Sequence, residues 1–180
     1  HYDAGNDFYK LFLDPTLMYS SGIHPGLLKP LEGLDFAQKE KLLETAQYAK
    51  LDAMIARAEL KAGEHVLEIG CGWGMCALRM AQKAGVRVTG ITLSNEQLIE
   101  ARARVAAAGL SDQIDIIFCD YRRVLEHPSV NGKLFDKVVS IEMLEAVGHE
   151  HLHSYFECVA RYLKPGGLAC MAFTNRCFPT

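Results

Sequence analysis

No stretch of this 180-residue chain stays apolar for the roughly 18 residues that a membrane-crossing helix needs. No two of its six cysteines, at 71, 76, 119, 158, 170 and 177, are spaced C-x-x-C, which removes the common zinc and dithiol redox patterns. They read instead as buried, reduced thiols of a reducing compartment. Positive charge is not in excess: 19 Lys and Arg against 22 Asp and Glu give a net charge of −3, so nucleic acid is not an expected partner. The opening residues, His1 to Asn6, lack the basic-then-apolar pattern of a secretion signal. Repeats, linkers and low-complexity tracts are absent as well. What remains is an ordinary globular composition, 49% apolar and 23% charged, with enough residues for one α/β domain and its core.

The apolar pattern changes along the chain. Residues 1–35 mix aromatics (Tyr2, Phe8, Tyr9, Phe12, Tyr19) with turn formers (Gly22, Pro25, Gly26, Pro30, Gly33), which predicts an irregular lid with a short helix near 7–12. Leu42, Leu43, Ala46, Ala49, Ala53 and Ile55 recur at helical spacing and predict a long helix over 35–60. After the turn Lys61-Ala62-Gly63-Glu64, short apolar runs alternate with helical patterns. Strands are expected at 65–69, 86–91, 114–118, 135–141 and 168–174, and helices at 73–84, 95–108 and 151–163. Ser94 is placed to cap the second of these helices, with Gln97 at the capping-box position. Lys164-Pro165-Gly166-Gly167 ends the third and turns into a strand. This alternation predicts an α/β fold, a Rossmann-like and mostly parallel sheet with helices on both faces. One structural domain is expected, with residues 1–60 as a lid and helices over the active site of a core at 61–180.

The run Val66-Leu67-Glu68-Ile69-Gly70-Cys71-Gly72-Trp73-Gly74 says most about function: a buried strand, a glycine-rich turn and a helix start. Glycines at alternate positions permit a tight turn and a close backbone approach to a ligand. The spacing is G-x-G-x-G, whereas a dinucleotide fingerprint is G-x-G-x-x-G and wants an acidic residue at the second strand end, where Thr92 stands. S-adenosylmethionine (SAM) is therefore favoured over a nicotinamide. In an open α/β sheet the ligand lies at the carboxyl ends of the strands near the switch point. Chemistry-bearing residues occur at each such end: Glu68 and the glycines, Thr92-Leu93-Ser94 with Gln97, Asp120-Tyr121-Arg122, and Ile141-Glu142-Met143-Leu144-Glu145. Asp120 and Tyr121 are placed to bracket an adenine by hydrogen bonding and stacking. His149, His151 and His153 alternate, which does not put them on one helix face, so no metal site is expected. Arg122-Arg123 is too small to be an anionic-lipid patch, yet it could help at a membrane surface.

The stretches HYDAGNDFYKLFLDPTLMYSSG, DFAQKEK, VLEIGCGWG, VTGITLSNEQ, CDYR and FDKVVSIEMLEAVGHEHLHSYF, with LKPGG, run from the first residue almost to the last. In them the chain resembles the cyclopropane-fatty-acyl-phospholipid synthases and the related mycolic acid cyclopropane synthases, and looks closer to eukaryotic-type members. The resemblance implies a class I SAM-dependent methyltransferase. It would add a methylene across the cis double bond of an unsaturated phospholipid acyl chain, forming a cyclopropane fatty acid. Carried over by position, SAM contacts would be Tyr19 and Ser20 from the lid, then Gly70, Gly72, Thr92, Leu93, Gln97, Tyr121 and Arg122, with Glu68, Gly74 and Asp120 beside them. Attack by the alkene leaves a carbocation, which the lid aromatics can stabilise, and a base must then remove a proton. The resemblance gives that task to a bound bicarbonate held partly by Glu145.

Two positions depart from the family. Ser21 stands where Cys is common and Ala172 where His is common, and the resemblance gives both positions a share with Glu145 in holding bicarbonate, Ser21 as a catalytic residue; Ser21 keeps a hydrogen bond to offer and Ala172 does not. A methyl or methylene branch, or a small-molecule amine as acceptor, is the alternative outcome. A SAM-binding module without catalysis is a third, against which the intact glycines and Glu145 speak. The resemblance also implies a cytoplasmic enzyme docking transiently on membranes, leaves a homodimer open, and suggests truncation before the last two strands of such a sheet.

Overall fold

The computed structural model describes residues 5–24 and 32–174. Five parallel strands, β1 (His65–Ile69), β2 (Arg87–Thr92), β3 (Ile114–Phe118), β4 (Phe135–Ile141) and β5 (Leu163–Ala172), form one sheet in the order β3-β2-β1-β4-β5. The chain steps outward from β1 to β3 and then returns to β4 on the other side of β1. The crevice between the carboxyl ends of β1 and β4 is therefore the switch point where an open sheet binds ligands.

The helices are α1 (Asn6–Lys10), α2 (Phe36–Arg57), α3 (Met75–Ala84), α4 (Asn95–Ala107) and α5 (Leu152–Tyr162). Strand residues alternate between two cores, as the two-residue period of a strand requires. Val66, Ile116 and Val139 pack beneath Leu51 and Met54 of α2, Ala77 and Met80 of α3, and Ala101 and Val105 of α4. Leu67, Ile117 and Val138 face Tyr155, Val159 and Tyr162 of α5 on the opposite side. Both faces are thus covered, as an all-parallel sheet demands. A buried chain of hydroxyls ties α5 to the switch point: Tyr155 Oη donates to Ser140 Oγ (2.8 Å), which donates to the Ile69 carbonyl (3.3 Å).

Local sequence sets the helix starts. Asp35 caps α2 with a complete capping box: its carboxylate accepts the Gln38 amide while Gln38 Oε1 accepts the Asp35 amide. Ser94 caps α4 through the Gln97 amide, as expected, but the box is not closed. Gln97 uses its side-chain oxygen on Thr92 Oγ1 instead (2.7 Å).

Several boundaries shift from the sequence expectation, and two of the shifts have a visible cause. Helix α3 begins at Met75 rather than Trp73, because Gly74 takes the left-handed conformation of a cap (φ 83°). Strand β5 begins at Leu163, five residues early. Leu163 already pairs with Phe135, and the next pair is Leu168 with Lys137, so Lys164–Gly167 forms a bulge inside the strand rather than a turn before it.

Candidate functional site

A cavity of about 480 Å3 opens at the carboxyl ends of β1, β2, β3 and β4, under a roof formed by Leu17–Ser20. Its size suits a small molecule. Its floor is the turn after β1, whose Gly70 and Cys71 amides both donate to the Ile91 carbonyl (3.1 and 3.0 Å). Gly72 has φ 53°, and a Cβ there would meet nothing within 4 Å, so the backbone itself faces open space. Of the predicted SAM contacts, Tyr19, Ser20, Glu68, Gly70, Gly72, Thr92, Leu93, Gln97, Asp120, Tyr121 and Arg122 all line this cavity.

Gly74 does not line it, which corrects its assignment. A Cβ at Gly74 would lie 3.1 Å from the Ala101 Cβ, so this glycine serves the close packing of α3 against α4. Ser21 and Glu145 are also placed elsewhere. They line an adjoining cavity of about 420 Å3, together with Leu13, Leu43, Gln47 and Thr174. Met18, Tyr19, Ser20 and Glu142 border both cavities.

The electrostatics of the first cavity are set by burial. Glu68 is 3% exposed, and among the described residues its Oε2 has no hydrogen-bond partner. Desolvation pushes its carboxyl up to about 8, against the smaller opposing effect of the Cys76 thiol and the Ala77 amide. A buried, unpartnered carboxylate oxygen beside glycine amides is a seat for a cationic group. At the far end, Asp120 accepts from the Arg122 amide and Nε (both 2.9 Å), and these bonds hold its carboxyl below the usual range. The Tyr121 ring packs edge-on against Tyr155 at 5.0 Å. Thr92 Oγ1 accepts the Ser94 amide (3.1 Å) and donates to Gln97 Oε1, which fixes the turn between β2 and α4 and leaves Gln97 Nε2 as a donor. Of the three alternating histidines only His151 lines the cavity, and no group of three metal-binding side chains converges among the described residues.

Residues 5–24 are held against the core by contacts that the sequence did not show. Trp73, in the glycine loop, donates from Nε1 to Asn6 Oδ1 (2.7 Å) and packs on the buried Tyr9 ring at 4.9 Å. From α2, Gln47 Nε2 donates to the Ser20 carbonyl (2.7 Å), and Lys50 Nζ donates to Gln47 Oε1 (2.6 Å) and to Ser20 Oγ. Lys50 is 4% exposed, and burial lowers its ammonium to about 8, opposed by the charge of Glu142. A lysine on the buried stripe of α2, beside Ala46, Gln47, Leu51 and Met54, was the available signal. Glu142 was visible only as one more carboxylate at a strand end. In the structure its Oε1 accepts both the amide (2.9 Å) and the hydroxyl of Ser21, 121 residues away.

A family model described as mycolic acid cyclopropane synthetase matches residues 1–178. This chain belongs to the mycolic acid cyclopropane synthetase family. Family relatives include the tuberculostearic acid methyltransferase of Mycobacterium tuberculosis, 42% identical over 176 residues. The cyclopropane-fatty-acyl-phospholipid synthase of Escherichia coli is 38% identical over 168 residues. These matches cover 97% and 93% of this chain, but the chain spans only 38% of the length of either relative. Among solved structures, a mycolic acid cyclopropane synthase complexed with SAH and CTAB superposes with a TM-score of 0.74 at 30% identity, covering 91% of this chain and 51% of the other. The shared fold is the Rossmann-like methyltransferase sheet.

Within the family frame, the residues expected to hold bicarbonate do not fit it. Ser21 spends its hydroxyl on Glu142, Glu145 Oε1 receives the Thr174 amide, and Ala172 carries no donor. A bound anion there would face the carboxylates of Glu142 and Glu145 across one cavity.

Proposed function

We propose that the protein carrying this chain transfers a one-carbon unit from SAM to the cis double bond of an unsaturated phospholipid acyl chain, yielding a cyclopropane fatty acid. The observation that carries this reading is the pair of adjoining cavities. The first has the polar fittings of a nucleoside site and an orphaned acidic oxygen suited to a cation; SAM supplies there an electrophilic methyl on a positively charged sulfur. The second is bordered by Leu13, Met18, Leu43 and two carboxylates, a mixture that suits an apolar acceptor on which positive charge develops.

The lid extends this reading to a membrane surface. Phe8, Phe12 and Tyr19 are about half exposed, and their rings touch, with centroids 5.5 Å apart for Phe8–Phe12 and 6.2 Å for Phe12–Tyr19. Leu11 and Phe36 are each 77% exposed. Such a surface favours approach to acyl chains at a bilayer, and among the described residues no helix is long and apolar enough to cross one. Residues 5–24 and α2 thus act as a cover over the core. The tuberculostearic acid relative and the departures at Ser21 and Ala172 favour, as a second reading, a product left as a methyl or methylene branch.

The test is transfer of labelled methyl from SAM to the lipid extract of phospholipid vesicles by the full-length protein. Label enters unsaturated but not saturated vesicles. Label that enters amines and spares both lipids contradicts the reading.

Glu145 acts here as a positioning residue: it holds the Thr174 amide, after the end of β5, against the acceptor cavity. Glu145→Gln keeps an oxygen for that bond but removes the charge. Turnover falls about tenfold while SAM affinity, measured by calorimetry, stays near wild type. Loss of SAM binding alone contradicts this role.

A further inference from the structure

A reaction that adds carbon to an alkene and then loses a proton needs a base within reach of both reactants. Only one carboxylate among the described residues borders both cavities, that of Glu142. Its setting is unusual in three respects. The backbone is left-handed at this non-glycine residue (φ 49°), directly after β4, and its amide is tied to the Ala172 carbonyl at 2.7 Å. Backbone strain at such a position persists where the surrounding structure over-determines it. One carboxylate oxygen, Oε1, takes both Ser21 donors, which orients the side chain, while Oε2 accepts no hydrogen bond among the described residues. The buried Lys50 ammonium interacts with Glu142 from the α2 side. By contrast, Glu145 borders the second cavity alone and its Oε1 is committed to the Thr174 amide.

We propose that Glu142 is the catalytic base of this enzyme, a carboxylate supplied by the chain itself at the junction of the donor and acceptor cavities. The inference rests on the reading under Proposed function. The alkene π pair forms a carbon–carbon bond to the methyl carbon, and the methyl–sulfur bond breaks with its electron pair remaining on sulfur. Positive charge then resides on the second alkene carbon. A C–H pair of the transferred methyl closes the ring onto that carbon, and the released proton passes to Oε2 of Glu142, from which solvent later removes it. Loss of a proton from a neighbouring carbon to the same oxygen gives a branch instead, so one base serves both products.

The experiment compares wild type, Glu142→Gln, Glu142→Asp and Glu145→Gln in the full-length protein, with SAM or methyl-deuterated SAM and dioleoyl phospholipid vesicles. Glutamine retains the oxygen that Ser21 holds, so the cradle is kept and the base is lost. In Glu142→Gln, kcat falls about a hundredfold or more, and SAM affinity by calorimetry is unchanged. The isotope effect on kcat rises above that of wild type, because C–H cleavage has become the slow step. Glu142→Asp recovers part of the rate, and Glu145→Gln leaves the isotope effect at the wild-type value. A Glu142→Gln enzyme that retains wild-type kcat overturns the proposal, as does one whose kcat falls with no change in the isotope effect. A wild-type protein that modifies no lipid overturns the parent reading, which separates that failure from the failure of Glu142 alone.

Discussion

Placing valine at Gly72 costs the full-length protein about a hundredfold or more in SAM affinity, equivalent to roughly 3 kcal/mol, while the fold survives. The backbone at Gly72 is left-handed (φ 53°), a conformation that costs an ordinary residue about 1–2 kcal/mol. A Cβ there meets no protein atom within 4 Å, so the new methyl groups do not clash with the core. They occupy the space into which the loop presents its backbone, and a ligand that needs close approach to that backbone is excluded. Calorimetric titration reads the affinity and a thermal melt reads the fold. Alanine gives an intermediate loss. Unchanged affinity in the valine variant contradicts the placement of the ligand over this loop.

Glu68→Gln abolishes a pH dependence of stability. The carboxyl ionises near 4.5 in an unfolded chain but only at about 8 in the folded one, because burial disfavours its charge. Between those values the folded state binds more protons than the unfolded one, so stability falls as pH rises through the window. It is fully present below pH 4.5 and lost by the time pH passes 8, a decline of roughly 3–5 kcal/mol from this one group. Glutamine has nearly the same shape and does not titrate. Urea unfolding at pH 5 and pH 8.5 then shows the variant gaining on wild type by that amount at the higher pH. Parallel behaviour of the two proteins contradicts the assignment. SAM, with its positive sulfonium and ammonium, pulls the Glu68 proton off, so its binding near pH 7 releases a proton in wild type and not in Glu68→Gln. The variant also binds SAM more weakly.

The sheet and the lining of the first cavity were legible in the sequence because their determinants are local. A strand that buries both faces reads as an apolar run, and β1, β3 and β4 begin and end where the pattern predicts. Residues at or just past a strand's carboxyl end must lie at that edge of the sheet, so Glu68, Thr92 and Asp120–Arg122 could be placed before any coordinates. Failures occur where distant segments decide. Gly74 looks like a third ligand glycine until Ala101 is seen against it. The early start of β5 depends on Phe135 accepting Leu163 as a partner. Ser21 was read as a residue that helps bind an anion, yet it is engaged with Glu142, a contact that exists only because the lid folds back across the switch point. Lys50 required knowing which face of α2 is buried.

The most direct measurement is the fate of the double bond. The full-length protein is incubated with SAM and vesicles of a cis-unsaturated phospholipid, and the released acyl chains are analysed by mass spectrometry before and after oxidative cleavage of alkenes. The account predicts acyl chains heavier by one CH2 that resist cleavage, formed with stoichiometric SAH. A gain of one CH2 in chains that still cleave identifies the branched product. Turnover of SAM with acyl chains of unchanged mass contradicts a lipid alkene as the acceptor.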